Sequence, residues 1–287
     1  MSEIERDDVT GVATTGHEWD GIKELNNPLP RWWVWTFYAT IVWSVGYTVA
    51  YPAWPLVSSA TTGVLGYSSR AEVNQELAAA DAARSDYVDR IAASSVEDIL
   101  ADDELRQFAS AAGAAAYRVN CVQCHGSGAT GSAGYPNLND DDWIWGGSVE
   151  EIRQTIAHGI RFDGDLDTRF SGMPAFAGVL PNQEIARIAA HVVSFSGEPS
   201  SAELAQEGAS LYADNCAACH GEAGEGGRDF GAPSLADAIW LYGSSEAEIA
   251  AQIRAPHHGT MPGWAARLGD ATVKELAVYI HTLGGGE

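Results

Sequence analysis

The rhythm of hydrophobic and polar positions divides this chain before any motif is considered. From Trp32 through Ser69 there is no Asp, Glu, Lys or Arg, and Trp32–Tyr51 is a run of twenty uncharged, mostly apolar residues. At 1.5 Å rise per residue such a run spans about 30 Å, one hydrocarbon thickness, which predicts a single transmembrane helix. Trp32, Trp33 and Trp35 at one end and Tyr51 and Trp54 at the other stand where amphipathic rings meet lipid headgroups. Pro30 is placed to open the helix, and Pro52 and Pro55 to bend or stop it. A cleaved signal peptide would need a basic leader and a short aliphatic core. Here the first thirty-one residues are acidic and the core is long and aromatic, so a retained anchor is the reading. Arg70 to Asp103 is rich in Ala, Asp and Glu at helical spacing and reads as a linker.

Beyond the linker the pattern repeats. Gly113, Tyr117, Asn120, Cys121, Cys124, His125 and Gly126 return in register as Gly208, Tyr212, Asn215, Cys216, Cys219, His220 and Gly221. The echo continues through Pro136-x-Leu138 and Pro233-x-Leu235, then Trp143 and Trp240. Ser148-x-x-Glu151 and Ser245-x-x-Glu248 follow, two capping boxes that open helices at equivalent places. Met173-Pro174 matches Met261-Pro262. Each unit closes on an amphipathic run, Asn182 to Phe195 and Thr272 to Leu283, with Thr272-x-x-Glu275 as a further capping box. A period of about ninety-five residues is too long for a solenoid and describes tandem helical domains. Domains this small bury little surface, and their Gly- and Asp-rich loops offer no apolar core, so a non-protein group is expected to fill each centre.

Composition narrows the chemistry. Sixteen Lys and Arg against 39 Asp and Glu give a formal charge of −23, which excludes a nucleic-acid partner and favours cationic ones. The four cysteines fall as two Cys-x-x-Cys-His motifs, Cys121/Cys124/His125 and Cys216/Cys219/His220, the attachment signature of c-type haem. Zinc would need a fourth ligand, and the two pairs lie too far apart for a zinc ribbon. A thioredoxin-like pair would need a βαβ setting and would leave the following His unexplained.

The second axial ligand follows by elimination. Apart from Met1 the chain holds two methionines, Met173 and Met261, at equivalent repeat positions. Thioether ligation opposite His raises the iron potential, so high-potential electron carriers are expected. His257 and His258, just before Met261, are the rivals; His158, His191 and His281 compete more weakly. Local pairing of each methionine with its own repeat's haem is the default, and exchange between repeats stays open. The carbonyls of Pro136 and Pro233 are candidates to orient the proximal imidazoles. Tyr117, Tyr212, Trp143 and Trp240 are candidates to pack on haem edges, and Arg153, Arg161 and Arg254 to meet propionates. With both axial positions filled, the irons relay electrons and catalyse no bond chemistry. Lys23 and Arg31 before the span, with the next positive charge at Arg70, favour a cytoplasmic amino terminus. Covalent haem attachment outside the cytoplasm agrees.

Residues 20–33, DGIKELNNPLPRWW, the lone aromatic span ending Tyr51-Pro-Ala-Trp54-Pro55, and the two Cys-x-x-Cys-His domains with Met-Pro partners together resemble the CcoP/FixP subunits of cbb(3)-type cytochrome c oxidases. The resemblance covers nearly the whole chain. It implies an all-α fold with one transmembrane helix followed by two tandem class I cytochrome c domains. The corresponding boundaries are a cytoplasmic tail (1–31), an anchor (32–57), a periplasmic linker (58–103), and haem domains at 104–198 and 199–287. It also implies an electron-entry role in the bacterial inner membrane. Electrons from a soluble or membrane-bound donor cytochrome c would pass through two covalent haem c groups to a monohaem subunit and on to the oxygen-reducing haem-copper subunit. Cys121, Cys124, Cys216 and Cys219 carry over as attachment residues, and His125, Met173, His220 and Met261 as axial ligands. The alternative is a membrane-tethered dihaem shuttle, alone or serving a periplasmic dehydrogenase.

Overall fold

The computed structural model of the chain describes residues 5–287. Contacts divide it into two units, one ending at Ala82 and the other Ala83–Glu287, with the division inside helix α2 (Ser69–Ala93).

The first unit opens with an antiparallel hairpin, β1 (Thr14–Trp19) and β2 (Ile22–Leu25), with Glu18 opposite Lys23 and Trp19 opposite Ile22. The rest of the described chain is predominantly helical, as expected, and this short hairpin is an addition to that fold. Two adjacent left-handed residues, Asp20 (φ 50°) and Gly21 (φ 85°), make the turn. An Asp-Gly pair fits this geometry because glycine has no Cβ to clash and aspartate tolerates it better than most residues. Helix α1 (Arg31–Ala50) follows, entered from Pro30 and ended at Tyr51 ahead of Pro52, within a residue of the expected bounds. None of its residues is buried. Its hydroxyls turn inward: Thr36 donates to Trp32 O and Ser44 to Thr40 O, at 3.0 and 2.8 Å. The expected span is nevertheless not apolar enough by mean hydropathy: among the described residues no helix is long and apolar enough to cross a membrane on that measure. The reason lies in composition, since Trp, Tyr, Thr and Ser fill much of α1 and score low there despite the absence of charge after Arg31.

The second unit is helical. The stretch expected to be linker contributes to its core, because α2 ends with Ile91 buried and α3 (Val96–Ala101), capped by Ser95, buries Val96 and Ile99. Lys274 Nζ covers the end of α2, donating to Ala92 O and Ser94 O at 2.9 and 3.0 Å. Then come α4 (Asp103–Asn120), the single turn α5 (Val122–His125), α6 (Val149–His158) and α7 (Asn182–Val193). The second repeat gives α8 (Ala202–Asn215), the turn α9 (Ala217–His220), α10 (Glu246–Arg254), the short α11 (Ala265–Leu268) and α12 (Asp270–His281). Both expected capping boxes at Ser148 and Ser245 form with reciprocal bonds. The third does not: α12 begins at Asp270 behind Gly269, and Glu275 lies inside the helix, 7% exposed.

The closing helices are exchanged between the repeats. α12 packs on α4 and α6, whereas α7 packs on α8 and α10. One core therefore joins Leu105, Tyr117, Ile152 and Ile156 to Val273, Leu276 and Ile280, and the other joins Ile185, Ile188 and Val192 to Tyr212, Ile249 and Ile253. Glycine permits each crossing. A Cβ on Gly113 would lie 2.2 Å from Glu275 O, and one on Gly208 would lie 2.1 Å from Arg187 O, so each helix pair meets backbone to backbone.

Candidate haem-binding site

The attachment turns grow directly out of the first helix of each repeat. Cys121 N donates to Tyr117 O and Cys216 N to Tyr212 O, at 2.9 and 2.8 Å, and the helix then re-forms for one turn carrying the second cysteine and the histidine. Gly126 (φ 80°) and Gly221 (φ 81°) stop both turns in a conformation that suits glycine. Tyr117 and Tyr212, each 1% exposed, donate their hydroxyls to Gly126 O (2.9 Å) and Gly221 O (2.8 Å). Each tyrosine thus ties its helix to the carbonyl just past the histidine. Burial pushes the Tyr117 phenol up to about 12 and Tyr212 higher still, so both stay protonated donors.

The histidines are oriented as the sequence suggested. His125 Nδ1 lies 3.1 Å from Pro136 O, and His220 Nδ1 lies 3.0 Å from Pro233 O. A carbonyl only accepts, so Nδ1 carries the proton in each ring and Nε2 keeps its lone pair for a metal. Burial lowers both imidazole pKa values against the opposing pull of these bonds, which favours the neutral ring a metal requires. Burial, with the neighbouring thiol, pushes Cys121 and Cys216 up to about 11. A thiol that holds its proton is a poor redox dithiol, the opposite of a thioredoxin-like pair.

Both turns open on one continuous cavity of about 910 Å³. Its lining includes all eight expected site residues: Cys121, Cys124, His125, Met173, Cys216, Cys219, His220 and Met261. The methionines cross over. Met261 packs with the core that holds Cys121, and Met173 with the core that holds Cys216. The packing thus sets each methionine beside the other repeat's attachment turn, against the local pairing that was the default read from the sequence. The backbone enforces it: Ile160 and Met261 bond reciprocally (2.9 and 3.0 Å), and Phe176 N donates to Ile253 O at 3.0 Å.

The rival histidines separate. His158 Nδ1 meets Asp165 at 3.0 Å, His191 Nδ1 donates to Ala205 O at 3.1 Å, and His281 Nε2 lies 3.0 Å from Glu287 O. His257 and His258 line the cavity but are exposed, and the His257 ring sits 5.7 Å from that of Tyr242. Of the candidate arginines, Arg153 pairs with Glu150 at 2.7 Å and Arg254 bonds Asn182 at 3.2 Å, both away from the lining. Arg161 does line it, and bonds only carbonyls. Trp143 donates to Gly285 O and Trp240 to Asp237 O. The sequence reading missed Trp145 and Tyr242, which also line the cavity. Their signal was available, since both stand two residues after the repeated tryptophan and directly before a glycine.

Comparison with known proteins decides the family. Residues 108–192 and 203–280 match the family described as cytochrome c oxidase, cbb3-type, subunit III. The chain belongs to that family. Residues 11–58 match the N-terminal domain of cytochrome oxidase-cbb3, FixP, which places the hairpin and α1 inside a family segment. The Cbb3-type cytochrome c oxidase subunit FixP of Sinorhizobium medicae is 59% identical over 281 residues, covering 98% of this chain and 97% of the relative. The FixP subunit of Bradyrhizobium diazoefficiens is 51% identical over 286 residues (99% and 98%), and the CcoP subunit of Cereibacter sphaeroides 51% over 276 residues (96% and 95%). As a member of the cbb3 subunit III family, the chain carries two c-type haems. The residues fit that load: two thiols and an imidazole on each turn, two thioethers on the same cavity wall, and a lining rich in aliphatic and aromatic side chains.

Proposed function

We propose that this chain is the dihaem electron-entry subunit of a cbb3-type terminal oxidase, anchored in the bacterial inner membrane by α1 with its haem-bearing unit in the periplasm. The observation that carries this reading is the convergence of both Cys-x-x-Cys-His turns and both methionines on one cavity. In this reading Cys121 and Cys124 tether one haem and Cys216 and Cys219 the other. His125 and Met261 ligate the first iron, and His220 and Met173 the second.

When bound, each haem supplies a one-electron ferric/ferrous couple whose potential a thioether ligand raises. The protein's part is to fix and shield it. Pro136 and Pro233 carbonyls hold the imidazoles in the ligating tautomer, and Tyr117 and Tyr212 fix the turns. Leu138, Leu235, Trp143 and Trp240 line the cavity with apolar surface that excludes water. With a histidine and a methionine to hold each haem, the chain would relay electrons from a donor cytochrome c toward the monohaem and haem-copper subunits.

The anchor rests on α1 being charge-free after Arg31, without a buried residue, aromatic at its entry and self-satisfied in its Ser and Thr hydroxyl bonds. Purification in mild detergent, with a pyridine-haemochrome assay and a subunit inventory, tests the assignment. The expected result is two haems per chain in a complex holding a haem-copper polypeptide. A dihaem chain that purifies free of any such polypeptide would instead be a tethered shuttle.

A further inference from the structure

We propose that Arg161 is a positioning residue shared by both haem sites, one guanidinium tying the backbone ahead of Met173 to the backbone ahead of Met261. Its Nε donates to Gly259 O at 2.8 Å and its Nη1 to Ser171 O at 2.9 Å. Each acceptor stands two residues before a methionine, and the two methionines serve different cores. The planar fork of arginine can hold two carbonyls in fixed directions, which an ammonium on a flexible stem cannot do as well.

The surroundings make this clamp stiff. Arg161 follows Ile160, the residue that bonds Met261 in both directions, and its own N–H donates to Arg169 O at 2.8 Å. Its φ of 51° lies in the left-handed region, which a side-chain-bearing residue occupies only where neighbouring bonds over-determine it. Among the described residues Arg161 makes no ion pair, and desolvation by burial acts against its charge. A cation kept half-buried on carbonyl partners alone is costly for a merely structural surface arginine. The second repeat has no equivalent: counted from the matching capping-box serines, Ser148 and Ser245, the position of Arg161 falls to His258, and the nearby Arg254 bonds Asn182 instead. One side chain therefore serves two loops.

The proposal rests on methionine ligation at both irons, and its test is built to separate the two claims. In the haem-loaded full chain, the far-red charge-transfer band of ferric thioether-ligated haem is followed through a guanidinium titration beside far-ultraviolet circular dichroism, in wild type, Arg161→Gln, Arg161→Lys and Arg254→Gln. The expected result is that Arg161→Gln loses the band of both haems at lower denaturant, before the helices unfold. The methionine-off population should rise about tenfold at each haem. Arg161→Lys should fall between wild type and Arg161→Gln, and Arg254→Gln should match wild type. The clamp is overturned if both Arg161 variants track wild type, if only one haem responds, or if band and helix signals move together. A wild-type chain lacking the band at either haem overturns the ligation reading, and the clamp with it.

Discussion

The exchange of closing helices makes a prediction that local pairing of the repeats would reverse. Consider Gly208→Ala. The new Cβ would sit 2.1 Å from Arg187 O, 2.6 Å from its carbonyl carbon and 3.0 Å from His191 Cβ. Since ordinary contacts begin near 3.4 Å, α7 must retreat by more than an ångström or tilt away from α8. Overpacking of this kind costs about 1–3 kcal/mol. If that cost falls on local opening of α7, its amide protons should exchange about five- to 150-fold faster, at about 1.4 kcal/mol per factor of ten. Hydrogen–deuterium exchange read peptide by peptide would show the acceleration in Asn182–Val193 and little change in Asp270–His281. Gly113→Ala, whose Cβ would meet Glu275 O at 2.2 Å and Tyr279 Cβ at 2.7 Å, should give the mirror image, with α12 loosened and α7 protected. Acceleration in α12 for Gly208→Ala, or in α7 for Gly113→Ala, would refute the exchanged packing.

Three further outcomes are expected. In a chain reduced to one haem by Cys121→Ala with Cys124→Ala, Met173→His should lower the remaining midpoint potential and Met261→His should leave it unmoved; spectroelectrochemistry giving the reverse would restore local pairing. Burial raises the Glu275 carboxyl to about 7 from an ordinary 4.5, with Arg84 opposing, so its contribution to stability is fully present below pH 4.5 and is lost as pH rises through about 7. Glu275→Gln should therefore raise the thermal midpoint above that range, by the equivalent of up to about 3 kcal/mol, and change little at the acid end; a melting profile with the same pH slope in both proteins would contradict this. From Arg70 to Glu287 thirteen positive residues face thirty-two negative ones, so electron transfer from a basic donor cytochrome should slow as salt rises, and stopped-flow rates that stay flat with ionic strength would argue against steering.

What the sequence disclosed was local chemistry. The Cys-x-x-Cys-His turns, the Pro136 and Pro233 carbonyls and the Ser148 and Ser245 capping boxes each involve residues close in sequence, where spacing fixes geometry. Partner choice was not legible. Gly113 and Gly208, like Tyr117 and Tyr212, present near-identical surfaces, so the pattern that predicts a closing helix for each repeat is silent on which repeat it closes. The Thr272 box failed for a related reason: Gly269 starts α12 earlier and carries Glu275 into the interface with α4, where a tertiary contact overrides a local motif. The hairpin was announced by Asp20-Gly21, whose flanking residues lack the apolar alternation that usually marks strands. At α1 two sequence measures diverge, because absence of charge and mean hydropathy weigh Trp, Tyr and Thr differently.

Helix α12 is the final element of the chain, yet it completes the core around the first Cys-x-x-Cys-His turn. As the chain is made, the core around the first turn stays incomplete until α12 has followed. The pocket whose turn is made first is the last to be sealed, and severing the chain between the repeats would strand two unfinished halves in place of two cytochromes.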